Sequence, residues 1–245
     1  MPTPTARAGV LPAADEKAAA VRRMFSSIAP RYDLLNHLLS ANVDRLWRRR
    51  AVDRLAWERT PGGVFLDNCA GTLDLAVELA GRSGFHGRVV GSDFTYAMLE
   101  RGTHKLNGRP IGPACADALT LPFADASFDG ATVGFGVRNL ADLDAGLREM
   151  ARVLRSGARV VILEFTTPSW QPFRALYLGY FLKVLPLVGK LVSKHSTAYT
   201  YLPESVRQFP EPPELARKLE RAGFRAVEWK ALSGGIAALH WGTKA

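Results

Sequence analysis

At 245 residues and 26.7 kDa the chain has room for one large domain or two small ones, and 47% hydrophobic with 22% charged residues excludes disorder as its main state. Two cysteines, Cys69 and Cys115, exclude a disulfide scaffold; with an N-terminus that lacks an apolar signal core, they point to a reducing, cytoplasmic compartment. A net charge of +9 admits nucleic acid, an anionic membrane surface or an acidic substrate as partner and selects none of them.

Residues 1–16 read as a loose Pro/Ala-rich tail. Ala18 to Leu55 reads as helical, broken near Ala29-Pro30 and again around Ser40–Val43. Its basic run, Arg45-Leu46-Trp47-Arg48-Arg49-Arg50, is either a solvated helix face or a surface for anionic headgroups. Val64–Asp67 is a short apolar strand ending on an acid, followed by a small-residue loop and a helix from Leu75 to Ala80. Arg88–Asp93 is a second strand ending on an acid, followed by a helix over Tyr96–Lys105. A strand at Phe128–Val133, a helix at Leu140–Leu154 and a strand at Arg159–Phe165 continue the rhythm, which predicts an α/β fold with a parallel sheet and helices on both faces.

Beyond Phe165 the pattern changes. Phe173–Val192 is apolar and aromatic, but Arg174, Lys183, Pro186 and Lys190 interrupt it, so it can lie on a membrane more easily than cross one. A helix at Glu214–Ala222 precedes strands at Ala226–Leu232 and Ile236–Lys244 joined at Gly234-Gly235, an antiparallel pair that would close a mixed sheet.

The two strand-end acids, Asp67 and Asp93, are the most informative local pattern. In a doubly wound sheet ligands bind beyond the carboxyl ends of the strands, where an acid ending the second strand can accept from two ribose hydroxyls. The loop Asn68-Cys69-Ala70-Gly71-Thr72-Leu73 is not G-x-G-x-x-G and no G-K-S/T follows, which disfavours a dinucleotide or a triphosphate. A nucleoside without a pyrophosphate fits it. An ordinary strand-to-helix turn, with the strand-end Asp capping the helix, fits equally well. Cys69 and Cys115 lack a second pair of ligands, so no metal is expected.

Longer blocks separate these readings. Val21-Arg22-Arg23-Met24-Phe25-Ser26-Ser27-Ile28-Ala29-Pro30-Arg31-Tyr32-Asp33-Leu34-Leu35-Asn36, Phe135-Gly136-Val137-Arg138-Asn139-Leu140, Arg148–Leu154, Leu163-Glu164-Phe165, Tyr199–Ser205 with Phe209-Pro210, and Gly234-Gly235-Ile236 with His240-Trp241-Gly242 occur in order. From about Lys17 to Lys244 the chain thereby resembles the ubiquinone/menaquinone C-methyltransferases.

The resemblance implies a Rossmann-like class I methyltransferase fold with an antiparallel C-terminal strand, S-adenosylmethionine as cofactor, and carbon methylation of a polyprenylated quinol, demethylmenaquinol foremost. The alternatives are another small apolar acceptor, or a weakly active or non-enzymatic partner in a quinone-synthesis complex. Matched residue by residue, the cofactor contacts would be Asp67, Gly71, Thr72, Asp93, Asp117, Ala118 and Gly134. Arg138 and Asn139 would be catalytic; Arg138, charged at any ordinary pH, would stabilise a developing phenolate or hold a water that takes the proton. Tyr32, Asp33 and Asn36 would close the site. Residues 17–245 would form one domain with an N-terminal helical cap and a substrate lid over 166–213, in which Phe173–Phe181 meets either the core or a lipid tail. The expected partners are the quinol and, transiently, an anionic membrane at the inner face of the cell, with no nucleic acid; a homo-oligomer stays open.

The chain departs from the family in the cofactor loop. That loop usually reads Asp-Val-Ala-Cys/Gly-Gly-Thr-Gly-Asp, and here Leu73 stands where the second glycine belongs. Either Leu73 adopts positive φ and is strained, or it keeps helical φ and crowds the methionine end of the cofactor. On either account glycine at this position would tighten cofactor binding.

Overall fold

A computed structural model describes residues 16–33, 40, 42–179 and 197–245. The tail over 1–15, Asn36 and the aromatic stretch beyond residue 179 lie outside the described residues. Strands β1 (Val64–Asn68), β2 (Arg88–Asp93), β3 (Ile111–Cys115), β4 (Phe128–Gly134), β5 (Leu154–Phe165), β6 (Phe224–Leu232) and β7 (Ala237–Lys244) form a seven-stranded sheet in the order β3-β2-β1-β4-β5-β7-β6. The first five run parallel, and β7 is antiparallel to both of its neighbours.

Helices cover both faces, so the central strands are continuous apolar runs instead of alternating ones. Along β5, Val161 and Leu163 pack into one layer with Trp47, Leu79 and Trp241, while Val160 and Ile162 pack into the other with Leu147, Met150 and Leu215. The register pairs Asn68 with Ser92 and Val133, and Gly134 with Leu163. Asp67, Asp93, Gly134 and Glu164 therefore meet at the same edge of the sheet.

Helix α1 (Lys17–Ile28) leads into a 3-10 turn, Ala29–Arg31, that carries Pro30, and α2 (Val43–Arg54) follows. Helices α3 (Asp74–Ala80) and α4 (Tyr96–Gly102) cross over between the first strands, and α5 (Leu143–Val153) precedes β5. Helix α5 begins at Leu143 instead of Leu140 because Val137–Asn139 forms its own 3-10 turn and the Asp142 carboxylate caps the helix, accepting the Ala145 N–H at 2.9 Å. Helices α6 (Gln171–Gly179), α7 (Thr197–Gln208) and α8 (Pro212–Arg221) complete the described chain.

Strand β3 has no counterpart in the periodicity, because Gly112 and Pro113 sit inside it; as an edge strand it needs no N–H from Pro113 on its open side. Helix α7 is hidden in the same way by Pro203. In the basic run on α2, Trp47 and Arg48 turn inward: Trp47 Nε1 donates to Ser233 Oγ at 3.0 Å, and Arg48 pairs with Asp44 and, at 3.3 Å, with Asp74. Arg45, Leu46, Arg49 and Arg50 remain on the exposed face.

Leu73 is the N-cap of α3 and sits in the left-handed region, φ 68° and ψ 22°. Its side chain turns away from the carboxyl edge into the core. A Cβ built on Gly91 would lie 2.2 Å from Leu73 Cδ2, and one on Gly102 would lie 3.0 Å from Leu73 Cδ1. The strain alternative is therefore the one adopted, and the crowding alternative is not. A left-handed leucine costs roughly 1–2 kcal/mol, which burial of its side chain, worth about 1.5–3 kcal/mol, offsets.

Candidate active site

A cleft opens beyond the carboxyl ends of β1, β2 and β4. Gly71, Asp93, Asp117, Ala118, Gly134 and Asn139 line it, together with Cys69, Phe94, Met98 and Phe135, and α1 with the segment after it adds Ala18, Phe25 and Tyr32. Asp67, Thr72 and Arg138 do not line this cleft.

Asp93 is fixed by its own loop. Oδ2 accepts the Gly71 N–H at 2.9 Å and Oδ1 accepts the Thr95 N–H at 2.8 Å. Burial pushes its carboxyl above the usual carboxylate range, and the two N–H groups pull it back. A carboxylate has about four acceptor positions, so both oxygens keep capacity for a ligand's hydroxyls. Gly71 has φ +53°, and a side chain on Gly134 would meet Leu75 Cδ1 at 2.8 Å, so both positions favour glycine.

Asp67 lies under the cleft floor. Its Oδ1 accepts the Thr132 hydroxyl and its Oδ2 the Ala76 N–H, both at 3.0 Å. Burial pushes this carboxyl up to about 7 against the pull of those two hydrogen bonds. Thr72 is a clamp. Its hydroxyl donates to Asp33 Oδ1 at 2.6 Å and accepts from Lys105 Nζ at 3.0 Å. Lys105 in turn pairs with Asp33 and Asp74, each at 2.6 Å. The segment after α1 is thus fastened to the β1–α3 loop. The other end of the cap is held where Lys17 Nζ donates to the carbonyls of Arg138 and Leu140 at 3.1 and 2.7 Å; burial and the Arg138 charge hold that ammonium below its usual pKa.

Arg138 sits on the Val137–Asn139 turn, 9% exposed, and faces a second cleft that includes Tyr201, Leu143 and Phe209. Its Nη1 donates to Glu164 Oε1 at 2.6 Å and to the Phe135 carbonyl, and its guanidinium lies 5.4 Å from the Phe165 ring centroid. Asn139 stands between the two clefts. Its Nδ2 donates to the Phe135 carbonyl at 3.4 Å, and its Oδ1 accepts the Tyr201 hydroxyl at 3.1 Å. Burial raises the Tyr201 and Tyr177 phenols, with Arg138 pulling both down. His240, in the last of the blocks that carry the family resemblance, sits on β7 with Nε2 2.9 Å from the Pro212 carbonyl, and burial lowers its pKa to about 4.

Glu164, Tyr201 and Phe25 are the residues that reading the sequence did not assign a part. Glu164 carried a usable signal: like Asp67 and Asp93, it is an acid at the carboxyl end of a parallel strand. Tyr201 lies in a block that resembles the family, but nothing in that block tells that α7 brings it to Asn139 from far along the chain. Among the described residues no group of three His, Cys, Asp or Glu side chains could hold a metal ion, and no helix is long and apolar enough to cross a membrane.

Residues 13–244 match the ubiE/COQ5 methyltransferase family. The ubiquinone/menaquinone biosynthesis C-methyltransferase UbiE of Geotalea uraniireducens is 45% identical over 94% of this chain and 98% of its own length. The demethylmenaquinone methyltransferase of Corynebacterium urealyticum is 45% identical over 91% of this chain and 94% of its own. A SAM-dependent methyltransferase of Thermotoga maritima shares the fold at 18% identity, with a TM-score of 0.63 over 91% of this chain and 99% of that one.

Proposed function

The chain belongs to the ubiE/COQ5 methyltransferase family, and we propose that it methylates a ring carbon of a polyprenylated quinol, demethylmenaquinol foremost, from S-adenosylmethionine. The observation that carries this reading is Asp93, held by two N–H groups at the wall of a cleft whose loop has no phosphate-binding pattern. That site suits a nucleoside and not a pyrophosphate. Asp93 would accept from the ribose hydroxyls, Gly71 and Gly134 would let the backbone approach closely, and Asp117 and Ala118 would flank the adenine.

When bound, the cofactor supplies a sulfonium methyl group and a neutral leaving group, so the chemistry needs no metal. The protein's part is to align the acceptor carbon and to help a phenolic proton pass to water, which pushes electron density onto the neighbouring ring carbon; once methylated, that carbon gives up its own hydrogen as a proton to water and the ring regains aromaticity. Asn139, which lines the cleft and is oriented by Tyr201 and the Phe135 carbonyl, holds the acceptor. Arg138 stabilises the developing phenolate as a fixed cation. Asp67 and Thr72 act through the loop, Asp67 by bonding the first turn of α3 and Thr72 by fastening the cap. Leu73, the feature behind a weakly active or non-enzymatic reading, points away from the cleft.

Arg45, Arg49 and Arg50, together with exposed Leu46 on α2 and with Trp170, 69% exposed ahead of α6, would meet an anionic membrane surface from which the quinol is drawn. Calorimetric titration with S-adenosylmethionine, followed by a methyl-transfer assay on demethylmenaquinol, tests the whole reading. Heat of binding and a methylated quinol are expected; no heat with excess cofactor overturns it.

A further inference from the structure

Glu164 takes no part in the chemistry proposed above, yet it is 1% exposed and both of its oxygens are engaged. Oε1 accepts from Arg138 Nη1 at 2.6 Å and from the Phe165 N–H at 2.8 Å. Oε2 accepts the backbone N–H of Arg138 at 3.3 Å. The carboxylate therefore grips Arg138 at both ends, backbone and guanidinium, and closes a ring through the side chain that fixes its conformation. The Phe135 carbonyl and the Phe165 ring hold the same guanidinium from two further directions. Arg138 Nε is enclosed and has no partner among the described residues, while the residue lines the cleft that includes Tyr201.

We propose that Glu164 is a positioning residue for methyl transfer: it sets the orientation of the Arg138 guanidinium at the wall of the cleft that Arg138 shares with Tyr201, where the acceptor's oxygen would meet it. This rests on the role given above to Arg138. A buried carboxylate also balances the guanidinium charge while the site is empty of an anionic acceptor. As the phenolate develops, it meets a cation already oriented, with no reorganisation at the moment of reaction.

Glu164→Gln keeps the shape and removes the charge, and Glu164→Asp keeps the charge and withdraws it by one methylene. The test measures kcat, quinol KM and cofactor Kd for Glu164→Gln, Arg138→Ala and the double variant. Glu164→Gln should lose roughly tenfold or more in kcat with cofactor Kd within about twofold, and add no further loss in the Arg138→Ala background. If Glu164→Gln does not fold, Glu164→Asp is put through the same cycle, with the same non-additive loss expected.

Unimpaired kcat in Glu164→Gln, an equal loss in both backgrounds, or a parallel fall in cofactor affinity overturns the assignment. The two readings fail separately. Full turnover in Arg138→Ala removes Arg138 from the chemistry and Glu164 with it, whereas impaired Arg138→Ala beside unimpaired Glu164→Gln removes Glu164 alone.

Discussion

The Asp67 carboxylate accepts the Ala76 N–H at 3.0 Å and so does for α3 what its N-cap residue, Leu73, has no side-chain oxygen to do. A strand-end acid that looked like a ligand residue is the hydrogen-bond acceptor for the first turn of the next helix. The Thr132 hydroxyl on β4 completes its shell.

This arrangement gives stability a pH dependence. The folded state moves the Asp67 carboxyl from 3.8 to about 7, so between those values the folded chain holds a proton that the unfolded chain has lost. The contribution is complete below about pH 4 and is lost as pH rises through about 7, a change of up to about 4 kcal/mol for a shift of about three units. Asp67→Asn keeps an acceptor for Ala76 and removes the titration. Urea midpoints of both proteins at acid and alkaline pH should therefore converge or cross in favour of the variant as pH rises. Parallel curves would show that folding does not raise the Asp67 carboxyl.

If Asp93 holds the ribose as proposed, Asp93→Ala should weaken S-adenosylmethionine binding by at least about tenfold, through loss of two charge-assisted hydrogen bonds at roughly 1.5–3 kcal/mol each. The Gly71 and Thr95 N–H groups lose their acceptor at the same time. Titration calorimetry on a variant with native circular dichroism decides; an unchanged Kd takes Asp93 out of the site.

Leu73→Gly should lower the melting temperature and leave cofactor affinity where it is. Emptying a leucine-sized space in the core costs about 2–5 kcal/mol, and relief of the left-handed strain returns roughly 1–2 of that. The expectation from sequence, tighter binding, assumed that the loop carried the strain towards the ligand; the buried side chain carries it into the core. A lower Kd in the variant would restore the first view.

Lys105→Met should loosen the cap. It breaks the pairs to Asp33 and Asp74 and the bond to Thr72, a loss of at least about 1 kcal/mol for a network that is mostly buried. Cofactor dissociation measured by stopped flow should then quicken by about fivefold, with faster protease cleavage near residue 33. No change in either rate means that the cap is held by its apolar contacts.

Arg45→Glu/Arg49→Glu/Arg50→Glu should abolish sedimentation with phosphatidylglycerol vesicles, at about 1 kcal/mol for each basic residue near the surface. Turnover on a water-soluble short-chain quinol should be unaffected. Retained sedimentation would move membrane contact to another face.

The parallel core was legible because β1, β2 and β4 are short apolar runs with sharp polar ends, and helices of fixed length separate them. The cleft residues Asp93 and Gly71 were legible because they end or follow those strands, whereas Gly134 and Asp117 came only from the family resemblance. What stayed hidden depends on the direction a side chain takes out of a turn. Asp67 and Asp93 look alike in sequence, yet one enters the fold beneath α3 and the other faces the cleft. Thr72 and Gly71 are adjacent, yet one bonds the cap and the other lines the cleft. Arg138 and Asn139 are split between two clefts by a single 3-10 turn.

The contact between Leu73 and Gly91 also couples two positions of the sequence. A methyl group at 91 would overlap Leu73 Cδ2 at 2.2 Å, whereas its next neighbour, Ala70 Cβ, stands at an ordinary 3.5 Å. Alanine at 91 therefore requires the Leu73 isobutyl group to move, whereas beside glycine at 73 it would meet no such contact. The two substitutions are non-additive: Gly91→Ala is better tolerated beside Leu73→Gly than in this chain.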